Sequence, residues 1–267
     1  MDRFEIIYPS VALAPFVSHY WILETDGTMP VSERIVATGC MQMIFHRANR
    51  IFSVSGGDWQ PRSFIGGQTV DYADLHAEGK INMVVVVFQP YGAKAFFRMP
   101  MDELRNKLVP LEDMDDRLLA GVEDRILNTP DNKNCIRLIE QYLMKRLEIV
   151  KTYNFKRLHA SLQAINKQPD IDITRLSEIS CLSTKQFNRL FSEYIGANPK
   201  EFLRIVRFQR ALDIWHRNPR ISLTQLALES GYYDHAHMVR EFRTFSGYSP
   251  SEYAGCCDPY SDYFSEH

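Results

Sequence analysis

One 14-residue pattern occurs twice near the C-terminal end of the chain, as "RLFSEYIGANPKEF" at 189–202 and "REFRTFSGYSPSEY" at 240–253. Arg189 aligns with Arg240, Phe191 with Phe242, Gly196 with Gly247, Pro199 with Pro250 and Phe202 with Tyr253, always 51 residues apart. Apolar, glycine and proline positions that recur at one spacing mark a supersecondary unit built twice. Extended backward, the copies become "LSEISCLSTKQFNRLF" (176–191) and "LALESGYYDHAHMVREF" (226–242). Each reads as a short apolar helix, a tight turn, a capping residue and a second helix. Ser183 and Asp234 stand where an N-cap oxygen takes up free backbone N–H groups. Gly231 suits the turn because glycine tolerates positive φ. The second turn holds one more residue, so the offset grows from 50 to 51 across it.

Helices are expected at 155–167, 173–180, 184–195, 199–217, 223–230 and 235–246, with a short turn at 250–253. A helix-turn-helix unit can lay its second helix in the DNA major groove. In 184–194, Phe187, Leu190, Phe191 and Tyr194 form the apolar stripe, with Thr184, Lys185, Asn188 and Arg189 opposite it. In 235–245, Met238, Phe242 and Phe245 point inward, whereas His235, Ala236, Val239 and Arg240 point outward. Arginine can bond guanine O6 and N7 together, asparagine suits adenine, and Ala or Val can touch a thymine methyl. The bland alternative is that Arg189 and Arg240 meet only phosphate, or pair with a carboxylate such as Glu193.

Between the units lies "NPKEFLRIVRFQRALDIWHRN", with Asn198–Pro199 as a helix start and Pro219 as its end. About 19 helical residues span roughly 28 Å, against ~34 Å between successive major grooves on one face of B-DNA. The connecting helix is thus expected to set two reading heads one turn apart. Arg204, Arg207 and Arg210 on it are candidate phosphate contacts; the plainer reading is a solvated face.

Residues 1–110 look β-rich: "SHYWILE", "MQMIFHR", "RIFSVSG" and "MVVVVFQ" are separated by Gly, Pro and Asp. Val84–Phe88 is apolar throughout and reads as a strand buried on both faces. From about Asp115 the period becomes helical. Leu118, Leu119, Val122 and Ile126, then Ile136, Ile139, Leu143, Leu147 and Val150, mark a hairpin over 115–150. Its stripes either pack on the β domain or form a dimerisation surface that would give a homodimer. "KTYN" (151–154) reads as a short linker. The fold class is α+β: a β-rich barrel or sandwich domain with its hairpin (1–150), an all-α domain (155–254) and a tail (255–267).

Charge follows this division. Residues 155–255 carry 14 Lys+Arg and 10 Asp+Glu, a net of +4, and the remainder carries a net of −6. One domain, and not the whole chain, is expected to meet an anionic partner. The five cysteines show no metal-ligand spacing, which fits a reduced, cytoplasmic chain. His235 and His237 diverge by about 200° on a helix, so they are not read as a metal pair. The Cys256–Cys257 pair reads as an inert tail. No apolar leader or membrane-length run appears, so no signal peptide and no membrane partner are expected. His19, His46 and His76 accompany no hydrolase, protease or phosphate-loop signature, so neither catalysis nor a cofactor is expected. Trp21, Trp59, Tyr72 and Phe88 are candidates for an effector pocket, although aromatics in a β domain are usually core.

"FNRLFSEYIGANPKEFLRIVRFQRALDIW" followed by "SLTQLALESGYYDHAHMVREFRTFSGYSPSEY" resembles the AraC/XylS DNA-binding domain of bacterial transcription regulators over about residues 155–254. The resemblance implies seven helices with two helix-turn-helix units, double-stranded DNA as a partner, RNA polymerase as a further one, and control by a small-molecule effector or a protein partner. It places Lys185, Gln186, Asn188 and Arg189, and His235, Ala236, His237 and Arg240, at base-reading positions. Ser177 departs from the usual small Ala. Cys181 departs from the turn Gly, so the first unit is expected to be less rigid or differently turned. "PFVSHYW", "SFIGGQT" and "VVFQPYGAKAFF" resemble an uncharacterised domain often joined to this one, which implies a regulatory role. The competing class is a DNA-tethered enzyme of the Ada type; Cys40 in "TGCMQM" shows neither its cysteine cluster nor its acceptor motif.

Overall fold

The computed structural model describes residues 3–27, 30–147 and 152–256. Ten strands come first: β1 (Arg3–Ile7), β2 (Val17–Thr25), β3 (Val31–Ile35), β4 (Gln42–His46), β5 (Phe52–Ser53), β6 (Asp58–Trp59), β7 (Ser63–Gly66), β8 (Ala73–Ala77), β9 (Ile81–Phe88) and β10 (Leu108–Pro110). They form two antiparallel sheets, ordered β1-β2-β9-β4-β7-β10 and β3-β8-β5-β6. The expected sandwich-like β domain is therefore present. "RIFSVSG" contributes only the two-residue β5.

β9 lies at the centre of the larger sheet because it is apolar on both faces. Val84, Val86 and Phe88 enter a core that runs through the helices. Met83, Val85 and Val87 enter a second core with Trp21, Ile44 and Phe64, closed over by Leu75 and Ala77 of β8. Each fully buried side chain of this size contributes roughly 1.5–3 kcal/mol.

The hairpin is α1 (Arg117–Asn128) and α2 (Asn132–Leu147). Asp116 caps α1, accepting from the Leu118 and Leu119 N–H groups, and also accepts from Tyr142 and Arg146 of α2. Leu119, Val122, Ile126, Ile136, Ile139 and Leu143 all join the main core. The stripes are therefore occupied within the chain, and the reading that they form a dimer surface is replaced by the packing one. Leu118 points outward, 39% exposed. Val150 and Lys151 lie outside the described residues.

Seven helices follow: α3 (Thr152–Lys167), α4 (Ile173–Ile179), α5 (Thr184–Ile195), α6 (Pro199–Arg217), α7 (Leu223–Glu229), α8 (His235–Ser246) and α9 (Pro250–Cys256). Residues 152–154 of the expected linker are helical, as the start of α3. Gly255 and Cys256 of the expected tail end α9, and residues from 257 onward lie outside the described set. The two parts of the chain share one core: Phe155 of α3 stacks edge-on with Phe16 at 5.3 Å, Tyr91 at 5.8 Å and Tyr194 at 5.2 Å. Among the described residues, no helix is long and apolar enough to cross a membrane.

His46 is fully buried on β4, with Nε2 3.1 Å from Gln60 Oε1. Desolvation holds its imidazole neutral and lowers its pKa to about 4. The unfolded chain therefore binds the proton first, and stability falls as pH drops from about 6.5 to about 4. The expected loss is of the order of 2–3 kcal/mol. Denaturant midpoints measured between pH 7 and pH 4 check this, with His46→Gln expected to flatten the dependence.

Candidate nucleic-acid interface

The two helix-turn-helix units, α4–α5 and α7–α8, close their turns with the same backbone bonds, 50 residues apart. Cys181 N–H donates to the Glu178 carbonyl and Leu182 N–H to Ser177; Gly231 N–H donates to Leu228 and Tyr232 N–H to Ala227. Cys181 takes φ +53° where Gly231 takes φ +86°. The first unit opens its turn with the same backbone bonds as the second, with Cys181 carrying the left-handed strain, and the second then holds one residue more before its cap. Ser177 is accommodated because its hydroxyl donates to the Thr174 carbonyl at 2.7 Å.

Both recognition helices are capped as the sequence indicates. Ser183 accepts from Gln186 N–H while the Gln186 side chain accepts from Ser183 N–H. Asp234 accepts from His237 N–H at 2.6 Å. Phe187, Phe191 and Tyr194, and Met238, Phe242 and Phe245, are buried. Thr184, Lys185, Gln186, Asn188 and Arg189 are exposed together on α5, and His235, Ala236 and Arg240 on α8. Glu193 pairs with Lys94 at 3.5 Å and not with Arg189. Neither the Arg189 nor the Arg240 guanidinium has a hydrogen bond or ion pair among the described residues.

Two outward residues are less free. His237 packs against the Tyr232 ring at 5.3 Å and lies 4.0 Å from Glu241. Val239 is half-buried. Tyr233, not singled out from the sequence, is 88% exposed just before α8. It is the added residue of the second turn, and the step in offset from 50 to 51 is the signal that points to it.

Arg204, Arg207 and Arg210, three of the four arginines of α6, each make hydrogen bonds within the fold. Arg204 Nε bonds both oxygens of buried Glu241, at 2.9 and 3.1 Å. Arg207 donates to the Pro169 carbonyl at 3.4 Å and lies over the Tyr232 ring. Arg210 donates to the carbonyls of Glu229 at 3.1 Å and Asn166 at 3.3 Å. A guanidinium bonded to carboxylate or carbonyl oxygens within the fold would have to break those bonds to reach DNA.

The effector-pocket candidates do not meet either. Trp21 and Phe88 belong to cores on opposite faces of the larger sheet. Trp59 packs on Phe52 at the rim, and Tyr72 stacks on Arg34. The structure instead opens a cleft of about 550 Å³ between the two parts of the chain. Thr38, Cys40 and Gln89 line one wall, with Phe202, Gln209 and Arg210 on the other.

Gly196 and Gly247 end α5 and α8 with φ +87° and +74°. Each also abuts the β-rich part. A Cβ on Gly196 would lie 2.5 Å from Met41 Cε and 3.0 Å from the Met101 carbonyl oxygen; on Gly247 it would lie 2.7 Å from Arg34 Nη1 and Tyr72 Cζ. Gly196→Ala and Gly247→Ala are therefore expected each to cost about 1–3 kcal/mol. Cys181→Gly, which relieves strain in open surroundings, is expected to add about 0.5–1 kcal/mol. Chemical denaturation of the three variants checks both signs.

Two family models match the chain: a domain of unknown function, DUF6597, over residues 5–110, and a helix-turn-helix domain over residues 176–255. An uncharacterized HTH-type transcriptional regulator from Haemophilus influenzae is 36% identical over 118 residues, covering 43% of this chain and 37% of that protein. An HTH-type transcriptional regulator of Pseudomonas aeruginosa, ArgR, is 24% identical over 91 residues, covering 34% of this chain and 27% of that protein. The matches thus span between about a quarter and little more than a third of these relatives' length. Among solved structures, ToxT from Vibrio cholerae is similar with a TM-score of 0.46 and 10% identity, covering 98% of each chain. Residues 176–255 thus match a helix-turn-helix domain, joined in this chain to residues 5–110 that match the DUF6597 domain.

Proposed function

We propose that the protein is a sequence-specific transcription regulator whose two helix-turn-helix units read adjacent major grooves of double-stranded DNA. The observation that carries this is the pair of arginines, Arg189 and Arg240, at matching places on two units that share their turn-opening backbone bonds and a side-chain N-cap, with no guanidinium bond or ion pair among the described residues. Lys185, Asn188 and Thr184 extend the first reading face; His235, Ala236 and Tyr233 extend the second. Residues 155–254 act as the DNA-binding part and residues 1–150 as the regulatory part. RNA polymerase is a partner by the family resemblance alone.

An effector or partner acts, in this reading, through the β-rich part, and the cleft is where a small molecule would touch both parts at once. A ligand seated there would bias any arrangement of the two parts that changes the cleft, by its difference in affinity between them. The competing alkyl-transfer reading finds little support at Cys40. Desolvation pushes that thiol up to about 12, far from the thiolate that group transfer requires.

Arg189→Ala is expected to relax base preference at one position of the site, and Arg240→Ala at another roughly 10 base pairs away. Each is expected to cost about 1–3 kcal/mol of binding. Selection from a randomised duplex pool with both variants checks this. An even loss of affinity on all sequences would reassign both residues to phosphate, and disturbance of a single shared half would end the reading of two separate heads.

A further inference from the structure

The carboxyl ends of both recognition helices rest on the β-rich part, but they are held differently. Phe187 and Phe191 of the first unit belong to the core that continues through Met41, Phe96 and Met101. The first head is thus joined to the β-rich part by a shared core. The second head has its own core, in which Phe208, Met238, Phe242 and Phe245 meet Val36 and Ala37. Beyond α6 and the apolar contact with Val36, Ala37 and Val70, its attachment is a polar contact centred on Arg34 of β3.

Arg34 uses its whole guanidinium there. Nε and Nη2 bond the Asp74 oxygens at 2.6 and 2.8 Å, and Nη1 donates to the Ser246 carbonyl at 3.0 Å. Its central carbon lies over the Tyr72 ring at 4.2 Å and over the Tyr248 ring at 4.3 Å. Ser246 is the last residue of α8, where carbonyls lack helical partners and a cation is favoured by the helix dipole. The bare Gly247 permits this approach. The contact grips the end of α8 opposite its reading residues, so it orients the second head without covering its face.

We infer that Arg34 is a positioning residue for DNA reading: it holds the second head at one distance and rotation from the first, so that the β-rich part sets which spacing between two DNA boxes the protein accepts. The inference rests on the DNA-reading function proposed above. Inserting one base pair between the boxes moves the second by about 3.4 Å along the axis and turns it by roughly 35°. A braced pair of heads tolerates that poorly; a pair joined by α6 alone follows it more easily.

The test uses the full chain and the duplex that the wild type selects from a randomised pool, then the same duplex with one or two base pairs added or removed between the boxes. The wild type is expected to lose roughly tenfold or more in affinity per step. Arg34→Ala and the milder Tyr72→Ala are expected to lose only about threefold per step, while binding the original duplex more weakly. Arg34→Lys is expected not to restore strictness, because an ammonium cannot fork to Asp74 while donating to Ser246 and stacking on both rings. Amide hydrogen exchange should rise in 235–246 in Arg34→Ala and stay unchanged in 184–195, separating a loosened head from general unfolding. Equal weakening at every spacing, or a wild type indifferent to spacing, would overturn the inference. If the wild type selects no duplex at all, the DNA-reading function fails and the brace fails with it. A selected duplex whose spacing preference survives in Arg34→Ala would remove the brace alone.

Discussion

The arrangement of the two helix-turn-helix units depends on α6. Asn198 and Glu201 close a capping box at its start, and Pro199 occupies the first turn, where no backbone N–H is needed. Phe202 and Leu203 sit in the core shared with the β-rich part, whereas Ile205, Phe208, Ala211 and Leu212 sit in the core of the second unit. One uninterrupted 19-residue helix therefore anchors both heads. Its flank carries Arg204, which neutralises Glu241 inside the second unit. Removing one member of such a pair leaves an unpaired buried charge, a far larger penalty than the pair's own net contribution.

The arginines divide by what surrounds them. Those of α6 end on carboxylates and helix-end carbonyls, and so serve the connection between helices. Those one turn into α5 and α8 face outward with no internal acceptor. Arg34 and Arg105 belong to a third group that crosses between the parts of the chain; Arg105 pairs with Glu201 at 2.5 Å. Much of the net positive charge in the C-terminal half is thereby spent holding the fold. The outward charge without internal partners among the described residues is concentrated on a few positions near the N-termini of α5 and α8, where the backbone also favours anions.

The β-rich part does more than sit beside this domain. Its central strand, apolar on both faces, builds two cores at once. Only the one containing Val84, Val86 and Phe88 is continuous with the hairpin, with α3 and with the first head. A disturbance in that core has a packed path to α5. The second head is reached through α6 and through the strand carrying Arg34.

The sequence by itself determined every helix of the C-terminal half, the two capped turns, the doubled unit and the outward set on α5, because these follow from local periodicity, capping chemistry and the steric freedom of glycine. It also placed the hairpin and the doubly buried strand. It left open which face of the hairpin was covered, and it did not show the internal partners of Arg204, Arg207, Arg210 and His237 or the separation of the four aromatic candidates. Those outcomes depend on neighbours far away in the chain: Glu241 lies 37 residues from Arg204, and Ser246 lies 212 residues from Arg34. Periodicity states which way a side chain points from its own helix. Whether a solvent, a carboxylate or another domain waits there is decided only when the cores pack, since packing alone sets which charges are buried together and which remain free.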